Sequence, residues 1–526
     1  LYYSVGQGGG TDLYNGSGLP YDENNQINFQ QFYDANSGNN REFIFGEWTD
    51  FSIDPLYSDV EHKATQLLTS SINNHSWAGL LSTLNYKLNT TLDLATGLDI
   101  RTYRGEHYRE VYDLLGGDYF EGSLGTGGKN SVGENSDNLM LREGDKLYYH
   151  NDGIVKWIGG FGQLEYNHGN ISAFINLTGS NSSYKRIDYF KNMDIVLADT
   201  VLIQSVGIND TITYNGNEYT INSPEARHTE TEWEHFPGFT IKTGLNWNIT
   251  EFSNIFFNTG ILSKAPRFNN VFNYENQTYI DTKNEIIKAF EIGYGYKSKT
   301  FALNLNTYHT IWKNKPQTGR VTIDGGESAD YNINGINALH QGVELDFAWK
   351  INENLHYEFL TSIGNWKWTS GDTINIFFNQ QLIDTRYFDA TGVSIGDSPQ
   401  SQIGSSINYN FKLMEDCSSY IRLKGVYFNR FFADFNPFEL DKDIGVWEIP
   451  SYTLFSLHMG STFYFKQSSL SVKFNVLNLF NEVYISDADN NNGYSMTYTG
   501  NNSTAADATV FFGLGRKLIA SIEYKF

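Results

Sequence analysis

Apolar and polar residues alternate along most of the chain from residue 77 onward, with an apolar side chain at nearly every second position. The final segment, residues 516–526, shows this pattern most clearly. Its apolar and polar positions fall on two faces, with Ile519 the one exception: Leu518, Ala520, Ile522, Tyr524 and Phe526 against Lys517, Ser521, Glu523 and Lys525. Alternation with a period of two predicts β-strands that are apolar on one side and polar on the other.

The alternating segments occur in pairs that are joined by short polar turns. These turns lie at residues 89–90, 167–169, 248–251, 297–299, 352–354, 414–418 and 466–468. Long polar connections separate the pairs, at residues 103–156, 184–233, 263–285, 313–339, 369–400, 432–452 and 481–507. A soluble sandwich has no reason to keep all its short turns at one end.

This regular exchange of short turns and long loops predicts an all-β fold. Specifically, it predicts a transmembrane, antiparallel up-and-down β-barrel with short periplasmic turns and long extracellular loops. About fifteen strands follow Trp77, and a strand at Leu1–Val5 brings the predicted number to about sixteen, an even total as such barrels require.

Composition agrees with a membrane barrel and excludes several other classes. Aromatic residues make up 16% of the 526 residues, which suits the aromatic girdles at the two membrane interfaces. Mean hydropathy is −0.42, and no run of about 18 apolar residues predicts a membrane-spanning helix. The net charge of −23 argues against a nucleic-acid partner, because a phosphate-binding surface would be basic. The single cysteine, Cys417, falls in a predicted turn, where its thiol would be accessible.

Charged residues on the polar faces are the first candidate functional groups. We single out five of them as lumen-facing: Asp99, Arg101, Glu344, Asp346 and Arg422. A Lys or Arg that faced lipid at the membrane midplane would cost about 2–4 kcal/mol. These residues are therefore predicted to face a wet or protein-filled lumen, either as cross-strand ion pairs or along a substrate path.

Several motifs resemble those of the TonB-dependent outer-membrane receptors. They are Ser263-Lys264-Ala265-Pro266-Arg267-Phe268, Ala289-Phe290-Glu291-Ile292-Gly293-Tyr294, His340-Gln341-Gly342-Val343-Glu344-Leu345, and Val476-Leu477-Asn478-Leu479-Phe480-Asn481 followed by Tyr484. The ending Tyr524-Lys525-Phe526 resembles the C-terminal signal by which outer-membrane barrels are recognised for insertion. The resemblance extends over most of the chain from Trp77 onward.

The resemblance implies a receptor in the outer membrane of a Gram-negative bacterium that imports a scarce, bulky nutrient. It implies contacts with outer-membrane lipid, with the barrel assembly machinery through Tyr524 and Phe526, with a TonB-type energy-transducing protein through an N-terminal region, and with a small ligand. A surface lipoprotein is a further candidate partner. The family has a 22-stranded barrel and an N-terminal plug, so residues 1–526 are expected to be the C-terminal part of such a barrel, without the plug and the first strands.

One loop carries a calcium-binding candidate. Asp487, Asp489 and Asn491 have the spacing of the first ligands of an EF-hand loop, but Tyr498 stands where the bidentate Glu would be. A solvated external loop is the alternative interpretation. The sequence predicts no catalytic residue, no cofactor and no enzymatic activity.

Three other functions stay open at this level. A complete, smaller barrel would be a passive porin. An outer-membrane adhesin or enzyme would carry its site on the long loops. A soluble β-rich glycan-binding protein would also use many aromatic residues.

Overall fold

One large antiparallel sheet dominates the fold. The computed structural model describes residues 2–7, 23–24, 26–38, 53–64, 66–122, 132–133, 136, 138–273, 276–279, 281–323, 328–378, 381–435, 437–438, 440, 442–443, 445–490 and 508–526. Within these residues, 19 strands join in this sheet. Three of them, β14 (Thr229–Glu230), β21 (Gly371–Phe378) and β22 (Gln381–Asp389), extend it at the long-loop end.

The other sixteen, termed the wall strands, follow one another around the sheet in chain order. They are β1 (Tyr2–Gln7), β3 (Gln66–Lys87), β4 (Leu92–Asp113), β7 (Lys146–His168), β8 (Ile171–Asp188), β15 (Glu234–Asn248), β16 (Ser253–Lys264), β17 (Glu285–Lys297), β18 (Phe301–Thr322), β19 (Ser328–Lys350), β20 (Leu355–Trp368), β23 (Ser401–Met414), β24 (Cys417–Asn429), β28 (Tyr452–Tyr464), β29 (Ser469–Leu477) and β32 (Lys517–Lys525).

Shorter elements occupy the long connections. They are β2 (Lys63–Ala64), β5 (Tyr119–Glu121), β6 (Met140–Leu141), β9 (Met193–Val196), β10 (Val201–Val206), β11 (Ile212–Tyr214), β12 (Asn217–Tyr219), β13 (Ala226–Arg227), β25 (Phe431–Phe432), β26 (Asp434–Phe435), β27 (Glu448–Ile449), β30 (Ile485–Asn490), β31 (Thr509–Phe512), the helix α1 (Phe29–Asn36) and a 3-10 turn (Phe268–Asn270). Neither described helix has the length and apolarity to cross a membrane.

The predicted hairpins and the all-β class are confirmed. Each of the seven predicted short turns joins two neighbouring wall strands, and the number of wall strands in the described residues agrees with the predicted sixteen. Strand β32 pairs with β29, and most of β3 pairs with β4 alone, so the barrel is not closed within the described part of the chain.

The two faces of the sheet differ in chemistry, as the alternation predicts. The outer face, defined by the apolar rows, exposes large side chains such as Leu98, Ile175 and Ile292. Aromatic residues gather on this face at the short-turn end, with stacked rings at Phe347 and Phe359 and at Tyr409 and Phe411. The opposite, inner face carries the charged positions. An outward apolar band edged by aromatic rings is the lipid-facing surface of a barrel.

The predicted long loops at residues 103–156 and 313–339 are shorter than predicted, because the flanking strands continue into them. The hydrogen-bond ladder of β4 and β7 reaches the pair Glu110 and Lys146, and that of β18 and β19 reaches Thr322 and Ser328. Spanning the membrane takes about 9–11 residues, and these strands have 22 or 23. Above the membrane, water meets both faces of the strands, so the apolar alternation that marks a strand in the sequence is lost.

The beginning of β3 and the position of Cys417 also differ from the sequence prediction. Strand β3 starts at Gln66 and not at Trp77, for the same reason as above. Cys417 is the first residue of β24 and is buried, because it pairs with Met414 on one side and Phe463 on the other. Its thiol is therefore not accessible.

The motif at residues 263–268 fixes an external connection to the inner face. Glu285, almost fully buried, accepts a hydrogen bond from Lys264 Nζ at 2.8 Å and another from Trp312 Nε1 at 2.6 Å. Tyr184 donates a hydrogen bond to the carbonyl of Pro266 at 3.1 Å. One carboxylate thus joins β16, β17 and β18, and one phenol on β8 holds the start of the 265–284 connection.

Glu285→Ala is expected to destabilise this junction. It leaves the indole N–H of Trp312 without its acceptor, and an unsatisfied buried donor costs about 1–3 kcal/mol. The measurement is urea unfolding of the detergent-folded protein, with Glu353→Ala in an exposed short turn as the control. Equal unfolding midpoints for the two variants would show that the carboxylate does not hold the junction.

Candidate functional site

All five charged residues predicted to face the lumen lie on the inner face, but on three separated strands: Asp99, Arg101, Glu344, Asp346 and Arg422. On β4, Arg101 binds Asp99, with the Nη2–Oδ2 distance at 2.6 Å. On β19, Asp346 accepts a hydrogen bond from Asn304 Nδ2 at 3.0 Å. The structure therefore keeps the three strands' charged residues apart and does not assemble them into one site. Their role toward a lumen stays a prediction.

Arg422 is the centre of a polar constellation on the inner face. Its guanidinium binds Glu358, two strands away, and donates a hydrogen bond to Ser406 Oγ at 3.1 Å on the strand between them. Ser406 Oγ in turn donates to Glu358 Oε2 at 2.8 Å. These contacts line a polar pocket of about 680 Å³ whose other residues are His356, Asn408, Asn410, Tyr420, Lys424 and His458.

Cross-strand register creates this inner-face pocket. His356, Asn408, Arg422 and His458 occupy successive positions of a single row across β20, β23, β24 and β28. His458 extends the row to β29 through a 2.8 Å hydrogen bond between its Nδ1 and the Asn475 side chain. Sequence reasoning missed the two histidines. The alternation along each strand places both histidines on the inner face, but strand pairing decides which residues are their neighbours.

The pocket can bind polar groups of either sign. Arg422 and Lys424 supply positive charge, Glu358 supplies negative charge, and the amides and imidazoles both donate and accept hydrogen bonds. Such a surface suits contact with a folded polar polypeptide or with a hydrated solute.

The calcium candidate lies in the long connection before the last wall strand. Asp487 and Asp489 belong to β30, and Asn491 lies outside the described residues. Strand β26 pairs with β30 in parallel and sets Asp434 beside Asp489. Within the described residues, no group of three or more His, Cys, Asp or Glu side chains is arranged to hold a metal ion. Calcium binding with Asn491 stays a prediction.

The carboxyls around β30 are instead electrostatically strained. Burial raises the pKa of Asp434 to about 6, with a further contribution from the negative charge of Asp397. Burial also raises the pKa of Asp397, whose neighbours Asp487 and Asp489 oppose its ionisation. Burial, together with Asp487, raises the pKa of Asp489. At neutral pH these loops thus hold ionised carboxylates that would be more stable in water.

Of the two residues of the predicted insertion signal, Tyr524 lies in the last wall strand and Phe526 directly follows that strand. Tyr524, on the outer face, donates a hydrogen bond to Ser468 Oγ at 3.0 Å, and the ring of Phe526 lies 5.1 Å from that of Tyr524. Phe526 is fully exposed, as a residue read by another protein would be. Recognition of this pair for insertion stays a prediction.

Asp434→Asn is expected to stabilise the packing of β26 against β30 at pH 8 and to change little at pH 4. A carboxyl whose pKa is higher in the folded protein than its ordinary value of 3.8 contributes stability below 3.8, and this is lost as the pH rises through about 6. The amide does not ionise, so the gain at pH 8 is about 3 kcal/mol. Rates of limited proteolysis at residues 431–435 and 485–490 measure it.

Asp199→Asn, in an exposed part of another connection, is the matched control and should leave proteolysis unchanged at both pH values. Equal protection of Asp434→Asn and the unsubstituted protein at pH 8 would contradict the assigned strain.

Comparison with known proteins identifies the family. The sequence model of the TonB dependent receptor-like β-barrel matches residues 2–479. No curated protein sequence matches the chain significantly. Similar solved structures include the copper transporter OprC (14% identity, TM-score 0.52, 90% of this chain and 59% of that one) and the unliganded ferric citrate transporter FecA (10%, 0.53, 87% and 55%). The siderophore receptor PiuA from Acinetobacter baumannii is also similar (13%, 0.52, 88% and 57%).

At these identities the structural likeness shows the shared barrel fold. The chain spans less than two thirds of the length of each of these three structures. The family match covers most of the chain, and members of this family are transporters and not enzymes. The chain therefore belongs to the TonB-dependent receptor-like β-barrel family and lies in the outer membrane of a Gram-negative bacterium.

Proposed function

We propose that the chain forms wall strands of a receptor that imports a scarce, bulky nutrient across the outer membrane by energy-coupled transport. The family match over residues 2–479 is the observation that carries this proposal. The names of the three similar structures, which mention copper, ferric citrate and a siderophore, support a scarce nutrient as the ligand class. A TonB-type protein would supply the energy, and the barrel assembly machinery would insert the wall.

The inner face supports a filled lumen over an open pore. In the barrel size class of such transporters, with 22 strands, the lumen holds a plug. We propose that the present strands belong to a barrel of that class. The inner-face pocket around Arg422 offers both charge signs and several amide groups to a neighbouring polypeptide. A plug that contacts this row would be held in place by hydrogen bonds instead of apolar contact, and it could move during transport.

Uptake should depend on inner-membrane energy. Cells that produce the protein with its native flanking sequence are screened with radiolabelled metal chelates and other scarce nutrients, with and without a protonophore. Energy-coupled transport predicts that uptake falls to the level of cells without the protein once the proton gradient collapses. A passive porin would keep its uptake in the presence of the protonophore.

Arg422→Glu should weaken the proposed contact between the plug and the inner face of the barrel. The new carboxylate stands beside Glu358, and the loss of one exposed ion pair costs up to about 1 kcal/mol, to which like-charge repulsion adds. We expect faster entry of a hydrophilic antibiotic, measured as a lower inhibitory concentration at equal protein level. Arg386→Glu, which breaks an external ion pair with Asp384, should not change antibiotic entry. Equal entry for both variants would argue against a plug contact at this pocket.

A further inference from the structure

A groove floored by glycine crosses the outer face between β4 and β15. Three outward glycines, Gly160, Gly162 and Gly179, form its floor, and Leu98, Leu177 and Phe239 border it in a space of about 660 Å³. A Cβ added at Gly162 or Gly179 would meet no heavy atom within 4 Å. The missing side chains therefore leave an open, apolar channel on a surface that is otherwise covered by large residues.

The groove lies in the outer half of the apolar band. Gly160 precedes the last residue of β7 by eight positions, and Gly179 follows the first residue of β8 by the same number. At about 3.3 Å per residue and a strand tilt of about 40°, both lie about 20 Å above the short turns, within a band about 25 Å tall. An apolar space at this depth is filled by hydrocarbon, and its size suits an acyl chain.

Polar residues begin on the same strands directly above the groove. Asn181 on β8 is followed by Ser183, which lies between Lys156 on β7 and His235 on β15 in one cross-strand row. Asn181 Nδ2 donates a hydrogen bond to Ser183 Oγ at 2.9 Å, and this oxygen lies 2.8 Å from His235 Nδ1. The apolar channel thus opens upward onto a hydrogen-bonding shelf that faces outward, toward lipid headgroups.

Two lysines border this shelf. Lys156 Nζ lies 4.4 Å from the centre of the Trp233 ring, and Lys185 Nζ lies 5.8 Å from the same ring. Lys185 also binds Glu230, whereas no carboxylate of the described residues lies within ion-pair distance of Lys156. In a chain of net charge −23, an outward ammonium group at the membrane boundary favours an anionic headgroup.

We propose that this surface binds one phosphorylated glycolipid of the outer leaflet, lipid A. A phosphate would lie against Lys156 and Lys185 with the Ser183–His235 pair beside it, and one acyl chain would lie in the groove over Gly160 and Gly179. Lysines next to a membrane surface attract anionic lipid by about 1 kcal/mol each. The groove adds shape, because it accepts a chain without moving any side chain. This lipid site is independent of the proposed transport activity.

In the test, the protein is produced with its native flanking sequence and purified in detergent, and retained lipid is measured by native mass spectrometry with diphosphoryl lipid A titrated as the probe. We expect one lipid to bind with preference. Lys156→Gln should weaken binding about fivefold, and Gly179→Leu, which fills the groove, should weaken it comparably. Lys313→Gln and Ala520→Leu are matched controls, since both residues lie on the outer face away from the groove, and neither should change binding.

Heat-modifiable gel mobility confirms that each variant is folded, and Gly162→Leu replaces Gly179→Leu if the latter is not. Dephosphorylated lipid A should bind several times more weakly, and excess inorganic phosphate should not release the lipid. Equal binding by the site variants and the controls would overturn the proposal. So would equal binding of dephosphorylated lipid, release by inorganic phosphate alone, or sensitivity to the lysine substitution without sensitivity to either glycine substitution.

Discussion

The backbone hydrogen-bond ladder is the constraint on which the rest of this structure depends. In hydrocarbon no water is available to pair a backbone N–H or C=O, and each unpaired group costs several kcal/mol. Antiparallel pairing between chain neighbours meets this demand with the shortest connections, as between β7 and β8, where a two-residue turn continues directly into the ladder. Once the ladder is fixed, each residue's face follows from its position along the strand.

The backbone hydrogen-bond ladder continues above the membrane, where water could also pair with the backbone groups. Strands β18 and β19 continue above the apolar band, and there their stability comes from packing against β21 and β22. Tyr331, Ile333 and Ile376 are almost fully buried in this upper core. The external part of the protein is therefore a set of small water-soluble cores built on the ends of membrane strands, which explains how long polar connections can hold a defined shape.

Electrostatics differ between these two regions. On the inner face, Asp99 and Arg101, or Glu358 and Arg422, neutralise each other at partly exposed positions, where an ion pair contributes little stability but keeps the surface polar. In the connection around β30, by contrast, carboxyl groups are buried close to one another. Burial and the negative charge of Asp397 raise the pKa of Asp434 to about 6. The pocket and the groove lie on opposite faces of the sheet, so a change at one need not disturb the other.

The sequence alone determined the strands within the membrane, their turns and their two faces. A period of two is a local property, and lipid on one side enforces it without help from distant residues. For this reason the sequence alone could place Arg422 on the inner face and identify the motif around Lys264.

Only the tertiary structure decided which side chains are neighbours. Cross-strand register joins His356 to His458, places Gly160 beside Gly179, and buries Cys417 between two neighbouring strands. The extensions of β4 and β18 could not be predicted either. Where water meets both faces of a strand, apolar and polar residues need not alternate, and this alternation is what identifies a strand in the sequence. Pairing between segments far apart in the chain is set by the whole ladder, and no local pattern records it.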